Sequence, residues 1–163
     1  MKQLILMRHA KSDWSGGSTK DHDRPLNPRG RAAAERLGDW IRSHDLLPDQ
    51  VLTSSALRTR ETLMRLALPQ DIPVHATRDL YLASADQIMD HLRKAQAQTV
   101  LILGHNPGIG NCAATLLATP VEHPKFRQYP SGATLVATFD IADWSDARWQ
   151  NANARHFVVP REL

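Results

Sequence analysis

Apolar and polar positions divide this chain into short, wholly apolar runs separated by stretches of helical period. Leu4-Ile5-Leu6-Met7 is apolar at every position, which predicts a strand covered on both faces, and Val100-Leu101-Ile102-Leu103 repeats the pattern. Gln50-Val51-Leu52-Thr53 predicts a short strand, Pro73-Val74-His75-Ala76 a weak one, and Thr134 to Phe139 an alternating one. Ala154 to Pro160 predicts a strand near a sheet edge, because proline has no N–H for a neighbour. Helices are expected between the runs. Asn27 before Pro28 is an N-cap with proline at the first helical position, and Ala32-Ala33-Ala34, Leu37 and Trp40-Ile41 continue at helical spacing. Ser54 or Ser55 is expected to cap a second helix, whose apolar face is Leu57, Leu63, Met64 and Leu66. Ala83 to Leu92 predicts a capped amphipathic helix, and Asn106-Pro107-Gly108 a fourth helix start. Thr119 to Pro130 is proline-rich and reads as an irregular connection, and Asp143 to Asp146 as a turn. Strands alternating with helices predict an α/β fold with a mostly parallel sheet.

With 163 residues, one domain over 1–163 is expected, and 42% hydrophobic with 23% charged residues is globular rather than disordered. No apolar run is long enough to span a bilayer, and Met1-Lys2-Gln3 lacks the features of a signal peptide, so a cytoplasmic location is expected. The formal charge of +3 comes from scattered Lys and Arg. That scatter, with few aromatics, gives little support for nucleic-acid binding and reads as mild attraction for anions. Cys112 is the single cysteine, which excludes an internal disulfide and a thiolate-cluster metal site; its apolar surroundings predict a buried thiol.

Arg8 and His9 follow directly on the first apolar run, at the carboxyl end of a predicted strand, where ligands bind in open α/β sheets. His105 stands in the same position behind the fourth run, and Gly104 and Gly108 would allow close backbone approach there. The helix start after it would offer free N–H groups to an anion. Arg58 lies in or just past the first turn of the second helix, from which it can reach back toward His9; a surface pairing with Glu61 or Glu35 is the plainer alternative. Right-handed crossovers put parallel strand ends on one edge, so Arg8, His9, Arg58 and His105 can converge on a tetrahedral oxyanion. Lys11, Ser12 and Asn106, next to the two histidines in sequence, are candidate substrate contacts. The polar stretch from Lys11 to Leu26 is expected to line or cover the pocket. Within it, Asp21-His22-Asp23 reads as solvated loop rather than a metal site, and His75 and His91 as structural or surface residues.

Leu6-Met7-Arg8-His9-Ala10, Ser54 to Thr62 and Gly104-His105-Asn106-Pro107 occur in the order found in the histidine phosphatase superfamily, and the chain resembles that family. Its short length and Arg-His-Ala-Lys-Ser opening are most similar to the small SixA-type phosphohistidine phosphatases. The resemblance implies a phosphoglycerate-mutase-like, three-layer α/β/α fold and a phosphatase in which His9 becomes a phosphohistidine. Arg8, Arg58 and His105 would hold the phosphoryl oxygens, with no metal and no cofactor needed. The implied partner is a phosphohistidine-bearing protein or a small phosphorylated molecule, with no nucleic acid and no membrane, and a monomer is expected. The chain departs from the family's pattern in two places. Ala10 replaces the usual glycine, leaving less room by the nucleophile, and Leu80-Tyr81-Leu82-Ala83 lacks the carboxylic acid that many members carry after the third strand. Asp13, Asp23 and Asp79 are the substitutes for that acid, none well placed by sequence. Without an acid, a phosphoramidate such as phosphohistidine is favoured, because its nitrogen can be protonated from solvent. A small-molecule phosphomonoesterase and a non-catalytic phospho-ligand binding module are the competing readings, and the absence of long pocket insertions favours hydrolysis over mutase transfer.

Overall fold

The computed structural model describes residues 1–17 and 19–163. Six strands form one sheet: β1 (Lys2–Arg8), β2 (Gln50–Ser54), β3 (Val74–Thr77), β4 (Thr99–Gly104), β5 (Thr134–Phe139) and β6 (Ala152–Val158). Their order is β3-β2-β4-β1-β5-β6. β3, β2, β4 and β1 run parallel, while β5 and β6 are antiparallel additions on the far side. The last strand starts two residues earlier than its sequence suggests and takes the edge position that Pro160 predicted.

Helices α1 (Pro28–Ser43), α2 (Leu57–Leu66), α3 (Ala85–Arg93) and α4 (Gly108–Leu116) connect the strands, and side-chain alternation along β1 shows how they are layered. Ile5 and Met7 pack with Leu37, Ile41 and Leu66 of α1 and α2, whereas Leu4 and Leu6 pack with Ile88, Met89, Ile109 and Cys112 of α3 and α4. The result is a three-layer α/β/α sandwich. Burial on both faces is why β1 and β4 are continuous apolar runs. Among the described residues, no helix is long and apolar enough to cross a membrane.

Local signals set most of the helix starts. The Asn27 side chain accepts from the Gly30 N–H at 2.8 Å, and Ser84 and Gln87 form a reciprocal capping box on α3. Helix α2 departs from expectation. It has Ala56 at its N-cap position with no side-chain cap, because Ser54 and Ser55 are turned to other partners at the sheet edge.

Gly30 decides how α1 meets the loop behind His9: a Cβ there would lie 2.0 Å from the Lys11 carbonyl oxygen. Since that oxygen also accepts the Asn27 N–H at 3.0 Å, neither side can yield cheaply. Gly30→Ala should therefore destabilise the protein by about 1–3 kcal/mol or more, read as a lowered urea midpoint. An unchanged midpoint would show that this contact is not tight.

Candidate active site

The parallel strands deliver their carboxyl ends to one edge, and β1 and β4 are neighbours there with Arg8 opposite Gly104. The His9 N–H donates to the Gly104 carbonyl at 3.1 Å, and its own carbonyl accepts from Gly132 at 2.9 Å, so the backbone at His9 is held from both sides. Around this point lies a cavity of about 340 Å³ lined by, among others, Arg8, His9, Lys11, Ser12, Arg58, His105 and Asn106. All seven candidate residues from the sequence are thus brought to one cavity. A larger, mostly apolar cavity between α2 and β3 contains none of them.

The His9 ring is buried, and Nδ1 lies 2.7 Å from the Ala10 carbonyl oxygen. A carbonyl only accepts, so Nδ1 carries the hydrogen and Nε2 keeps its lone pair. Burial, opposed by that hydrogen bond and reinforced by Arg8, His105 and Arg58, pushes the His9 pKa down to about 3. The ring is neutral at pH 7.

His105 is also buried, its ring centroid 5.3 Å from that of His9. Its pKa is likewise lowered to about 3, by burial first and then by Arg58. Nε2 lies 2.8 Å from Ser54 Oγ, which also accepts the Ala56 N–H. We assign the Ser54 hydroxyl hydrogen to Nε2, which places the ring hydrogen on Nδ1. That Nδ1, together with Arg8 Nε and Arg58 Nε, is buried without a protein partner. Unsatisfied buried donors cost about 1–3 kcal/mol each, so a cluster of them is a preformed demand for an acceptor-rich anion.

Each arginine is anchored away from Nε, Arg8 by one terminal nitrogen and Arg58 by both. Arg8 Nη1 donates to the Tyr129 carbonyl at 3.2 Å, and Tyr129, fully buried, donates its hydroxyl to Leu6 and accepts from the Leu135 N–H. Arg58 Nη1 and Nη2 donate to the Asp21 carbonyl at 2.7 Å and to Asp21 Oδ2 at 3.0 Å. Neither Glu61 nor Glu35 is its partner; Glu35 pairs with Arg65 instead.

Asp21 corrects the reading of its segment as solvated loop. Its carboxylate receives Arg58, Arg24 and the Tyr81 hydroxyl, because the short 3-10 turn Asp21–Asp23 folds back over the site. Partial burial raises its pKa, but the hydrogen bonds from Tyr81, Arg24 and Arg58 outweigh this and hold it well below the usual carboxylate range. Tyr81 responds oppositely, its pKa raised by burial and by Asp21, so the phenol keeps its proton and donates it. The three acids considered from sequence do not line the cavity. Asp13 accepts from Ser15, Asp79 lies 3.5 Å from His91, and Asp23 lies 3.6 Å from His22.

Other expectations change as well. Two amides in the first turn of α4 are already engaged, Ile109 by the His105 carbonyl and Gly110 by Asn106 Oδ1, so those two are not offered to an anion. Asn106 also donates to the Gln128 and Tyr129 carbonyls, which makes it a brace for the Arg8 support. A Cβ at Gly104 would only touch the Ile109 side chain at 3.4 Å, while Gly108 allows close approach to the Ala83 carbonyl rather than to a ligand. The Ala10 methyl takes no pocket space, since it packs with Leu26 and Ala34. Ser12 is buried and accepts from Arg24 at 2.8 Å, whereas Lys11 is exposed at the mouth.

Both buried histidines bind a proton in the unfolded chain near pH 6.5 but only near pH 3 when folded, so the stability they contribute is present above pH 6.5 and lost as pH falls toward 3. His105→Asn should reduce the dependence of unfolding free energy on pH around pH 5 by about 1.4 kcal/mol per pH unit, one proton's worth. An unchanged slope in denaturant titrations at several pH values would mean that His105 is protonated in the fold.

One buried and one half-buried guanidinium group and two neutral imidazoles at the carboxyl edge of a parallel sheet define an α/β protein built to hold a tetrahedral oxyanion. The chain belongs to the histidine phosphatase superfamily (branch 1), whose family model matches residues 4–81. An uncharacterized protein of Mycobacterium leprae is 32% identical over 165 residues, covering 95% of this chain and 100% of that protein. A structure from Nakamurella multipartitia, assigned as phosphohistidine phosphatase SixA, superposes with a TM-score of 0.85 at 29% identity, covering 98% of this chain and 96% of that one. The protein histidine phosphatase SixA complexed with tungstate has the same fold, with a TM-score of 0.79 at 21% identity and 99% of each chain covered. The fold is therefore the phosphoglycerate-mutase-like one of SixA proteins.

Proposed function

We propose that this chain is a phosphatase that hydrolyses protein phosphohistidine through a phosphoryl intermediate on His9. The observation that carries the mechanism is the 2.7 Å contact from His9 Nδ1 to the Ala10 carbonyl, which leaves a neutral Nε2 with its lone pair beside two arginines. In the first step Nε2 attacks phosphorus, the bond from phosphorus to the substrate nitrogen breaks, and that nitrogen takes a proton from solvent. Water then attacks phosphorus, the bond to Nε2 breaks, and inorganic phosphate leaves with the water's hydrogens. Arg8, Arg58 and His105 meet the charge on the phosphoryl oxygens throughout, a load that guanidinium groups can carry without a divalent cation.

Asp21 supports the choice of substrate. It is the carboxylate that lines the cavity, and the donors around it keep it ionised, so it has no proton to give a leaving group at neutral pH. An alkoxide would leave slowly from such a site. An imidazole, protonated by solvent, would not need the acid.

The test compares a phosphohistidine protein with a sugar phosphate, using wild type and His9→Ala. Hydrolysis of the phosphohistidine protein at least about 100-fold faster, and lost on substitution, is the expected result, since 100-fold corresponds to about 2.8 kcal/mol of barrier. A sugar phosphate as the better substrate would contradict the assignment.

A further inference from the structure

The cavity that holds the anion site is polar at its floor, yet two of the large apolar side chains most exposed in the protein stand on its wall. Trp14 is 77% exposed and Leu82 is 53% exposed, and both line this cavity. Leu82 is held there with φ of 51°, a left-handed conformation that a leucine rarely adopts. Exposing apolar surface and straining the backbone at the mouth of an anion pocket both oppose stability, which marks the rim as shaped for contact.

Trp14 is fixed as well as exposed. The Arg24 guanidinium carbon lies 3.5 Å from its ring centroid, covering one face of the indole. Arg24 is in turn locked by Ser12 Oγ at 2.8 Å, by the Asp13 carbonyl at 3.2 Å and by Asp21 Oδ1 at 3.0 Å. Asp21 holds Arg58, so one chain of contacts runs from the indole to the anion floor. Trp14 lines the cavity and is three-quarters exposed, so with Arg24 on one face of the indole the other face is free to take a ligand.

We propose that Trp14 is a stacking subsite for a planar aromatic group bonded directly to the phosphorus of the substrate. The imidazole of phosphohistidine is such a group, and in that respect the inference rests on the phosphatase reading above. An aliphatic leaving group gains nothing from the indole face. The residue therefore sets specificity for the leaving group while Arg8, Arg58 and the histidines handle the phosphoryl group.

Two non-hydrolysable probes test the subsite without any turnover: phenylphosphonate, with its ring directly on phosphorus, and methylphosphonate, each titrated by calorimetry. Wild type should bind phenylphosphonate about 5- to 150-fold more tightly, the range that aromatic stacking supplies. Trp14→Ala should bring that ratio close to one while leaving methylphosphonate affinity within about twofold, and Trp14→Phe should keep most of the preference. A wild-type ratio near one overturns the subsite, as does equal weakening of both probes in Trp14→Ala, which would make the indole only a prop for Arg24. Failure to bind either probe also overturns it. The same variants are then assayed on a phosphohistidine peptide and on acetyl phosphate. Loss of kcat/KM confined to the peptide is expected. Hydrolysis without a phenyl preference leaves the phosphatase reading standing and removes the subsite, whereas a phenyl preference without hydrolysis does the reverse.

Discussion

A His9→Ala variant is expected to lose turnover by about four orders of magnitude or more, because the group that forms the covalent bond is removed and no neighbour can replace it. His105 is the nearest candidate, with ring centroids 5.3 Å apart, but its Nε2 is tied to Ser54 and in our assignment Nδ1 carries a hydrogen. The fold should survive the change. The Ala10 carbonyl lies just past the carboxyl end of β1 and loses one partner, while the backbone of residue 9 keeps its bonds to Gly104 and Gly132. Turnover measured by release of inorganic phosphate, with circular dichroism as a fold control, checks the expectation. Residual activity within tenfold of wild type would mean that water attacks the substrate directly.

The second large effect is expected at Arg58. Arg58→Ala should reduce kcat/KM by about 100- to 1,000-fold, the range seen when one donor aimed at a developing oxyanion is removed. Arg58→Lys should recover little, since an ammonium cannot both fork onto Asp21 and keep an N–H directed at the site. Its removal also leaves the Asp21 carboxylate with one cation fewer, although Arg24 and Tyr81 remain. Asp21→Asn should therefore cost less than Arg58→Ala, and the double variant should cost less than the product of the two, because both disturb one contact. Strict additivity would show that Asp21 does not position Arg58.

How much of this site could be read from the chain depended on how each residue reaches it. Arg8, His9 and His105 were legible because each follows a run apolar on both faces, and strand direction alone puts such ends together. Arg58 was legible as a residue in the first turn of the helix after β2. Its partner was not. Asp21 lies 37 residues away in an irregular loop, and Tyr81 reaches it across 60 residues, so no local spacing relates the three. Tyr129 was hidden for a similar reason: it sits in a proline-rich connection, and its bond to Leu6 spans 123 positions. Ser54 and Ser55 show a different failure. A serine before a helix usually caps it, but here tertiary partners compete, Ser54 with His105 and Ser55 with His22, and the local rule gives way.

The layering followed directly from the alternation in β1, whose even positions face α3 and α4 and whose odd positions face α1 and α2. The acid question needed the fold. Sequence offered Asp13, Asp23 and Asp79, and packing selected Asp21 instead while denying it a proton. In the proposed reaction, Asp21 is thus kept from acting as the acid by the donors around it, rather than a carboxylate being missing from the cavity. That distinction bears on substrate choice, since weakening the donors around Asp21 would raise its pKa toward the ordinary range.

The central claim is that phosphorus becomes bonded to His9 during turnover. Rapid mixing with a phosphohistidine protein, quenching in alkali within the first turnovers and mapping the phosphorylated peptide by mass spectrometry tests it directly. The account predicts an acid-labile, alkali-stable phosphate on His9 that disappears at the rate of phosphate release. Phosphate release with no labelled enzyme, or label on any residue other than His9, would contradict it.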